Sequence, residues 1–96
     1  MNYEIHPAAA LEHEEQVAYY EARSPGLGRR YHAAFRSALL RVCEAPDRYK
    51  VIQAPDIRLT CLRGFPFSLI YRAVDVVHVL AVAPHRKRPG YWAERV

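Results

Sequence analysis

Ninety-six residues, 51% apolar and 25% charged, make one small globular domain with room for a modest core and no second lobe. The net charge of +4 is lopsided: residues 1–56 carry seven Lys/Arg against eight Asp/Glu, residues 57–96 seven against two, so the C-terminal part suits an acidic partner, nucleic acid or protein. No apolar run approaches the ~20 residues of a membrane-spanning helix, and Met1-Asn2-Tyr3-Glu4 lacks the basic-then-apolar start of a secretory signal, which makes the cytoplasm the expected compartment.

Asn2 to His6, with Tyr3 and Ile5 alternating, reads as a short first strand. Pro7 suits the first turn of a helix, and from Ala8 to Ala22 the composition is rich in Ala, Leu, Glu and Gln. Leu11, Ala18 and Ala22 fall on one face of that helix, flanked by Val17 and Tyr20, while Glu12, Glu14, Glu15 and Glu21 fill most of the rest. Ser24-Pro25-Gly26 breaks it, with Ser24 as N-cap and Pro25 as first residue of a second helix. Leu27, Tyr31, Phe35, Ala38, Leu39 and Val42 form that helix's buried stripe, and Pro46 ends it. Two helices so closely joined must fold back as a hairpin.

Pro46 to Pro55 reads as a loop, after which the period changes from 3.6 to two. Strands are expected over Ile57–Arg63, Phe65–Val74 and Val76–Ala83. The near-continuous apolar run of the last predicts burial on both faces and a central place in the sheet. The expected fold is α+β: an N-terminal strand, a helical hairpin and a three-stranded antiparallel meander, forming one sheet with both helices on one face. The 84–96 segment, broken by two prolines and a glycine, is a basic and aromatic tail outside the core. Within it Tyr91 and Trp92 either stay exposed as an interaction pair or, for Trp92, fold back as a C-terminal clasp.

Chemical motifs are sparse. Cys43 and Cys61 make no CxxC pair and read as buried reduced thiols, and the five histidines are too dispersed for a metal site. No cofactor-binding pattern appears: there is no P-loop, no G-x-G-x-x-G and no G-x-S-x-G. His13 and His32 look like surface helix positions, and His78 like a structural histidine within a strand.

In the order of its elements the chain resembles the RelE/ParE superfamily, the toxins of type II toxin–antitoxin pairs. The resemblance rests on Tyr19-Tyr20-Glu21 before Ser24-Pro25-Gly26-Leu27-Gly28-Arg29-Arg30-Tyr31, on Arg63…Phe65-Pro66-Phe67…Ile70-Tyr71-Arg72, and on Val79-Leu80-Ala81-Val82…His85-Arg86…Pro89-Gly90-Tyr91-Trp92. It implies a toxin held inactive in a hetero-oligomer with a cognate antitoxin. The target would be DNA gyrase in the ParE-like branch, or messenger RNA on the ribosome in the RelE-like branch.

Metal-free RNA cleavage needs a base for the 2′-OH proton, cations for the phosphate and an acid for the leaving oxygen. By the resemblance, the arginine that RelE-like toxins place before the L-x-Y pattern falls here on Ser68. A reduced nuclease set would be His85, Arg86, Arg63 and Tyr91; Arg48 and Lys50 are displaced towards the loop. The S-P-G-L-G hairpin and P-G-Y-W ending look more like the ParE-like branch, which acts by binding and without chemistry of its own. A protein-binding module without toxicity is the third reading. Candidate contacts for antitoxin or target are Arg58, Arg63, Arg72, Arg86, Lys87, Arg88, Tyr91 and Trp92, with the antitoxin expected over the open sheet face and its acids meeting Arg63, Arg72 and Arg86.

Overall fold

A computed structural model describes all 96 residues. The elements are β1 (Tyr3–Ile5), α1 (Pro7–Arg23), α2 (Leu27–Glu44), β2 (Val51–Gln53), β3 (Ile57–Cys61), β4 (Phe67–Ala73), β5 (Val77–Pro84) and a 3₁₀ turn over Ala93–Arg95. The sheet order is β1-β5-β4-β3-β2. β3, β4 and β5 form the expected antiparallel meander. The sheet is nevertheless five-stranded and mixed, because β1 runs parallel to β5 and Val51–Gln53, read from sequence as loop, adds an antiparallel edge strand to β3. That strand is three residues long and exposed throughout, so it leaves no alternation of buried and exposed positions to detect.

Local sequence explains the helix ends. Pro7 opens α1, and His6 Nδ1 accepts the Ala8 N–H at 3.0 Å. Ser24 closes α1 instead of capping α2, which starts at Leu27 after Gly26 in the left-handed region at φ 87°. The free N–H groups at the start of α2 are met by Glu21, whose carboxylate accepts from Gly26 at 2.9 Å and from Gly28 at 3.0 Å. Those two bonds are the main reason its carboxyl is held below the usual range. At Gly28 the two helices approach closely: a Cβ there would stand 2.5 Å from the Val17 carbonyl oxygen.

The stripe predicted for α2 is buried as expected, except that Leu27 is only partly covered. On α1 the inward face is the other one. Ala9 is buried, Val17 and Tyr20 pack against the core, and Leu11, Ala18 and Ala22 are exposed. The larger area of Val17 and Tyr20 outweighs a stripe that is mostly alanine. His13 lies with the inward set. Its ring stacks on Phe35 at 4.1 Å and on Tyr31 at 5.4 Å, and its Nε2 lies 2.8 Å from Nδ1 of the exposed His32. Burial, and secondarily the charge of His32, lower its pKa to about 4.

The core has two layers. Between helices and sheet lie Tyr31, Phe35, Leu39, Val42, Phe67, Leu69, Tyr71, Val77, Val79 and Val82, with Leu62. On the opposite sheet face Ile57, Ile70, Leu80, Ala81 and Ala83 pack with Trp92. Trp92 is 4% exposed, so the tail contributes to the core after all, in the clasp arrangement. A bulge makes this second layer. Ile70 pairs with Ala81 and Tyr71 with Val79, leaving Leu80 as the extra residue on β5. The side-chain phase of β5 flips there, turning Ala81 and Ala83 to join Leu80 on the Trp92 side and putting Val82 under the helices. Burial on both faces of β5 is therefore met, and the strand lies second from the sheet edge. Of the two thiols, Cys43 is half-buried and Cys61 exposed, which corrects the expectation for Cys61.

Candidate functional site

β1 is shorter than β5 and pairs only as far as Val79. Beyond that point β5 has an unpaired edge, and after the bulge its Leu80 C=O and Val82 N–H are met by side chains. Glu12 on α1 accepts the Val82 N–H at 3.1 Å, and Arg95 donates to the Leu80 carbonyl at 3.1 Å. The two side chains form an ion pair at 2.9 Å, with 18% and 22% of their surface exposed for Arg95 and Glu12. The second oxygen of Glu12 accepts the Tyr91 hydroxyl at 2.8 Å. Burial, and next the Glu12 hydrogen bond, push the Tyr91 phenol well above its ordinary value. One carboxylate thus closes a sheet edge and anchors the tail at two points.

The anchored tail shapes two grooves. One, about 550 Å³, lies on the open sheet face between β2–β3 and the tail, with Leu59, Ser68, Ile70 and Ala83 among its lining and His85, Lys87, Arg88 and Tyr91 along the tail side. The other, about 690 Å³, lies between the C-terminal half of α1 and the ends of β4 and β5, lined by Tyr19, Tyr20, Arg23, Phe67, His85 and Arg86. His85 borders both. His85, Arg86, Lys87 and Arg88 are all exposed, and no carboxylate of the chain pairs with any of them. Lys87 Nζ sits 4.7 Å from the Tyr91 ring centre and the Arg95 guanidinium 5.1 Å from it.

The residues singled out from sequence divide accordingly. Arg58 donates to the carbonyls of Tyr49 at 2.6 Å and Asp47 at 3.2 Å, tying down the connection that leads into β2. Arg72 donates through Nε to both carboxylate oxygens of Asp56, at 3.0 and 3.1 Å. Both cations are thus engaged within the chain. Arg63 is exposed on the turn between β3 and β4 and lines neither groove. Arg86, Lys87 and Arg88 stay together on the segment after β5, Tyr91 is tied to Glu12, and Trp92 is covered by the sheet.

Of the reduced nuclease set, only His85 and Tyr91 line the open-face groove; Arg86 lines the other one. The Ser68 side chain is buried beside Cys61, its hydroxyl 3.9 Å from the sulfur. His78 lies 3.3 Å from Asp75 and 3.7 Å from Glu4, at the far end of β5 from the basic cluster. Sequence reasoning missed Glu12, grouping it with the solvated acids of α1. Its position one turn from Ala9 and next to His13, on the true inward face, was the available signal.

No curated protein matches the chain. The family model for the ParE toxin of type II toxin–antitoxin systems, parDE, matches residues 3–89, from β1 through the basic segment and short of Tyr91 and Trp92. With that span covered and the helical hairpin set on a sheet as the resemblance implied, the chain belongs to the ParE toxin family and is the toxin component of a type II toxin–antitoxin pair, which implies a cognate antitoxin.

Proposed function

We propose that this toxin acts in the cytoplasm by binding DNA gyrase, without cleaving RNA, and that its antitoxin presents acidic groups to the Arg86-Lys87-Arg88 segment. The observation that carries the reading is the dispersal of the nuclease candidates. A phosphate undergoing cleavage needs cations and a proton donor around one point. The open-face groove offers a serine hydroxyl where the ribonuclease branch has an arginine, Arg86 and Arg63 lie outside it, and Tyr91 is a poor proton donor near neutrality because its phenol is buried and bonded to Glu12. Unpaired clustered cations favour binding to an anionic surface, and they gain most where that surface is another macromolecule.

The test is supercoiling by purified gyrase with and without the protein, run beside a ribosome-programmed messenger-cleavage assay. Stalled supercoiling with accumulated cleaved DNA and intact messenger is the expected result. Cut messenger with unaffected gyrase would overturn the reading and assign the chemistry to His85 and the groove-facing Lys87 and Arg88. If neither assay responds, the gyrase assignment also fails.

A further inference from the structure

The outer surface of the helical hairpin, facing away from the sheet, is divided by charge. On α1 the exposed stripe of Leu11, Ala18 and Ala22 is bordered by Glu14 on one side and, on the flank where α1 meets the groove of His85 and Arg86, by Glu15. On α2 the stripe of Ala33 and Leu40 is bordered by Arg30 and Arg36. Leu11 and Leu40 are 55% and 56% exposed, the most open leucines of the chain. Glu14, Glu15 and Arg30 make no ion pair or side-chain hydrogen bond, and Arg36 only touches the Tyr3 hydroxyl at 3.4 Å. One helix therefore shows free acids around an apolar strip, and its neighbour shows free cations around another.

The hairpin register makes these strips complementary to themselves. His13 stands beside His32 and Phe35, and Tyr20 beside Tyr31, so Leu11 and Leu40 lie at similar heights near the open end, and Glu14 and Glu15 lie level with the Ala33–Arg36 turn. A two-fold axis parallel to the helices would place α1 of one copy over α2 of the other, twice. Each contact would then set leucine against leucine and glutamates against arginines. The perpendicular two-fold axis in that plane would instead stack α1 on α1 and α2 on α2, setting acids on acids and cations on cations.

We infer that a second copy of this chain docks on the outer hairpin face, α1 against α2, in an isologous dimer held by Leu11 and Leu40 and steered by Glu14/Glu15 against Arg30/Arg36. The contact lies on the side of the molecule away from the open-face groove, so it does not depend on the gyrase reading.

Sedimentation equilibrium of the full chain is the test. Wild-type protein is expected to move from the 11.1 kDa monomer towards twice that mass as concentration rises. Dissociation should strengthen with salt, as screening of steering charges requires. Glu14→Arg/Glu15→Arg and Arg30→Glu/Arg36→Glu should each weaken self-association at least ~10-fold while keeping the wild-type circular dichroism spectrum, because like charges then face each other. Mixed one to one, the two variants should associate again, since each now carries the charge the other lacks. A wild-type chain that remains monomeric, a variant that still self-associates, or a mixture that does not recover would each overturn the inference. Loss of antitoxin capture with unchanged self-association would overturn it too, and would give the hairpin face to the antitoxin.

Discussion

Glu12 is the most informative single position to change. In Glu12→Ala three partners lose their acceptor together: the Val82 N–H, the Tyr91 hydroxyl and the Arg95 guanidinium. Breaking a fully buried ion pair costs about 3–5 kcal/mol. This pair keeps about a fifth of each side chain in solvent, so a cost nearer ~2 kcal/mol is appropriate. A stranded backbone N–H adds about 1 kcal/mol, for a total of roughly 3 kcal/mol. For a domain this size that corresponds to a fall in melting temperature on the order of 15 °C.

The chain supplies its own reporter for where the loss falls. Trp92 is its only tryptophan, is 4% exposed, and is held against the sheet by the tail that Glu12 anchors. Its emission in the folded Glu12→Ala protein should shift to the red while far-ultraviolet circular dichroism keeps the helix signal. Glu12→Gln keeps one acceptor oxygen for the Val82 N–H and can donate its amide to the Tyr91 hydroxyl oxygen, but it loses the charge facing Arg95, and should cost about half as much. A double-mutant cycle with Arg95→Ala should show coupling of about 1–2 kcal/mol. If Glu12→Ala melted within ~4 °C of wild type, a shift of about 1 kcal/mol or less, or left the Trp92 emission unmoved, the tail would be held by apolar packing alone and the carboxylate's role would be refuted.

Three further outcomes are expected. His13 has its pKa lowered to about 4 in the fold against an unfolded value of 6.5, so the folded state favours the neutral ring. Its contribution is complete above pH 6.5 and is lost as pH falls towards 4, by on the order of 2–3 kcal/mol, and His13→Phe should flatten that part of a stability–pH curve measured by urea unfolding. Gly28→Ala should lower stability by about 2 kcal/mol or more, since its new methyl meets the Val17 carbonyl at 2.5 Å and must push the helices apart; a neutral thermal melt would contradict the close approach. The Tyr31 hydroxyl is buried without a partner, so Tyr31→Phe is expected to hold or raise the unfolding free energy by up to about 1 kcal/mol in a denaturant titration, and a clear loss would reveal a partner for that hydroxyl.

What could be read from the residues follows the strength of each local signal. The α2 stripe, the meander and the double burial of the last strand are dense apolar patterns, and tertiary packing had little to add. Where the pattern was thin, tertiary contacts decided. The α1 stripe was built mostly of alanine, and its choice of inward face was settled by Val17, Tyr20 and a histidine that stacks on aromatics of α2. Val51–Gln53 became a strand because β3 offered an edge, without periodicity of its own. Arg58 and Arg72 were legible as cations, yet their intramolecular partners were not, because Asp56 and the carbonyls of Asp47 and Tyr49 reach them only through the fold.

The bulge at Leu80 ties these cases together. One extra residue in β5 turns Ala81 and Ala83 to the open face beside Leu80 and brings the Leu80 C=O and Val82 N–H to an edge that β1 is too short to cover. An apolar surface then needs Trp92, and two bare backbone groups need Glu12 and Arg95. Since Trp92 and Arg95 come from the same tail, satisfying both draws the chain back under the sheet and leaves Arg86, Lys87 and Arg88 on the exposed segment between, with no acid to pair them. The basic cluster owes its position to a backbone irregularity that no side-chain pattern in the sequence announces. A change that removes the bulge should therefore disturb binding at Arg86–Arg88 even though it touches none of them.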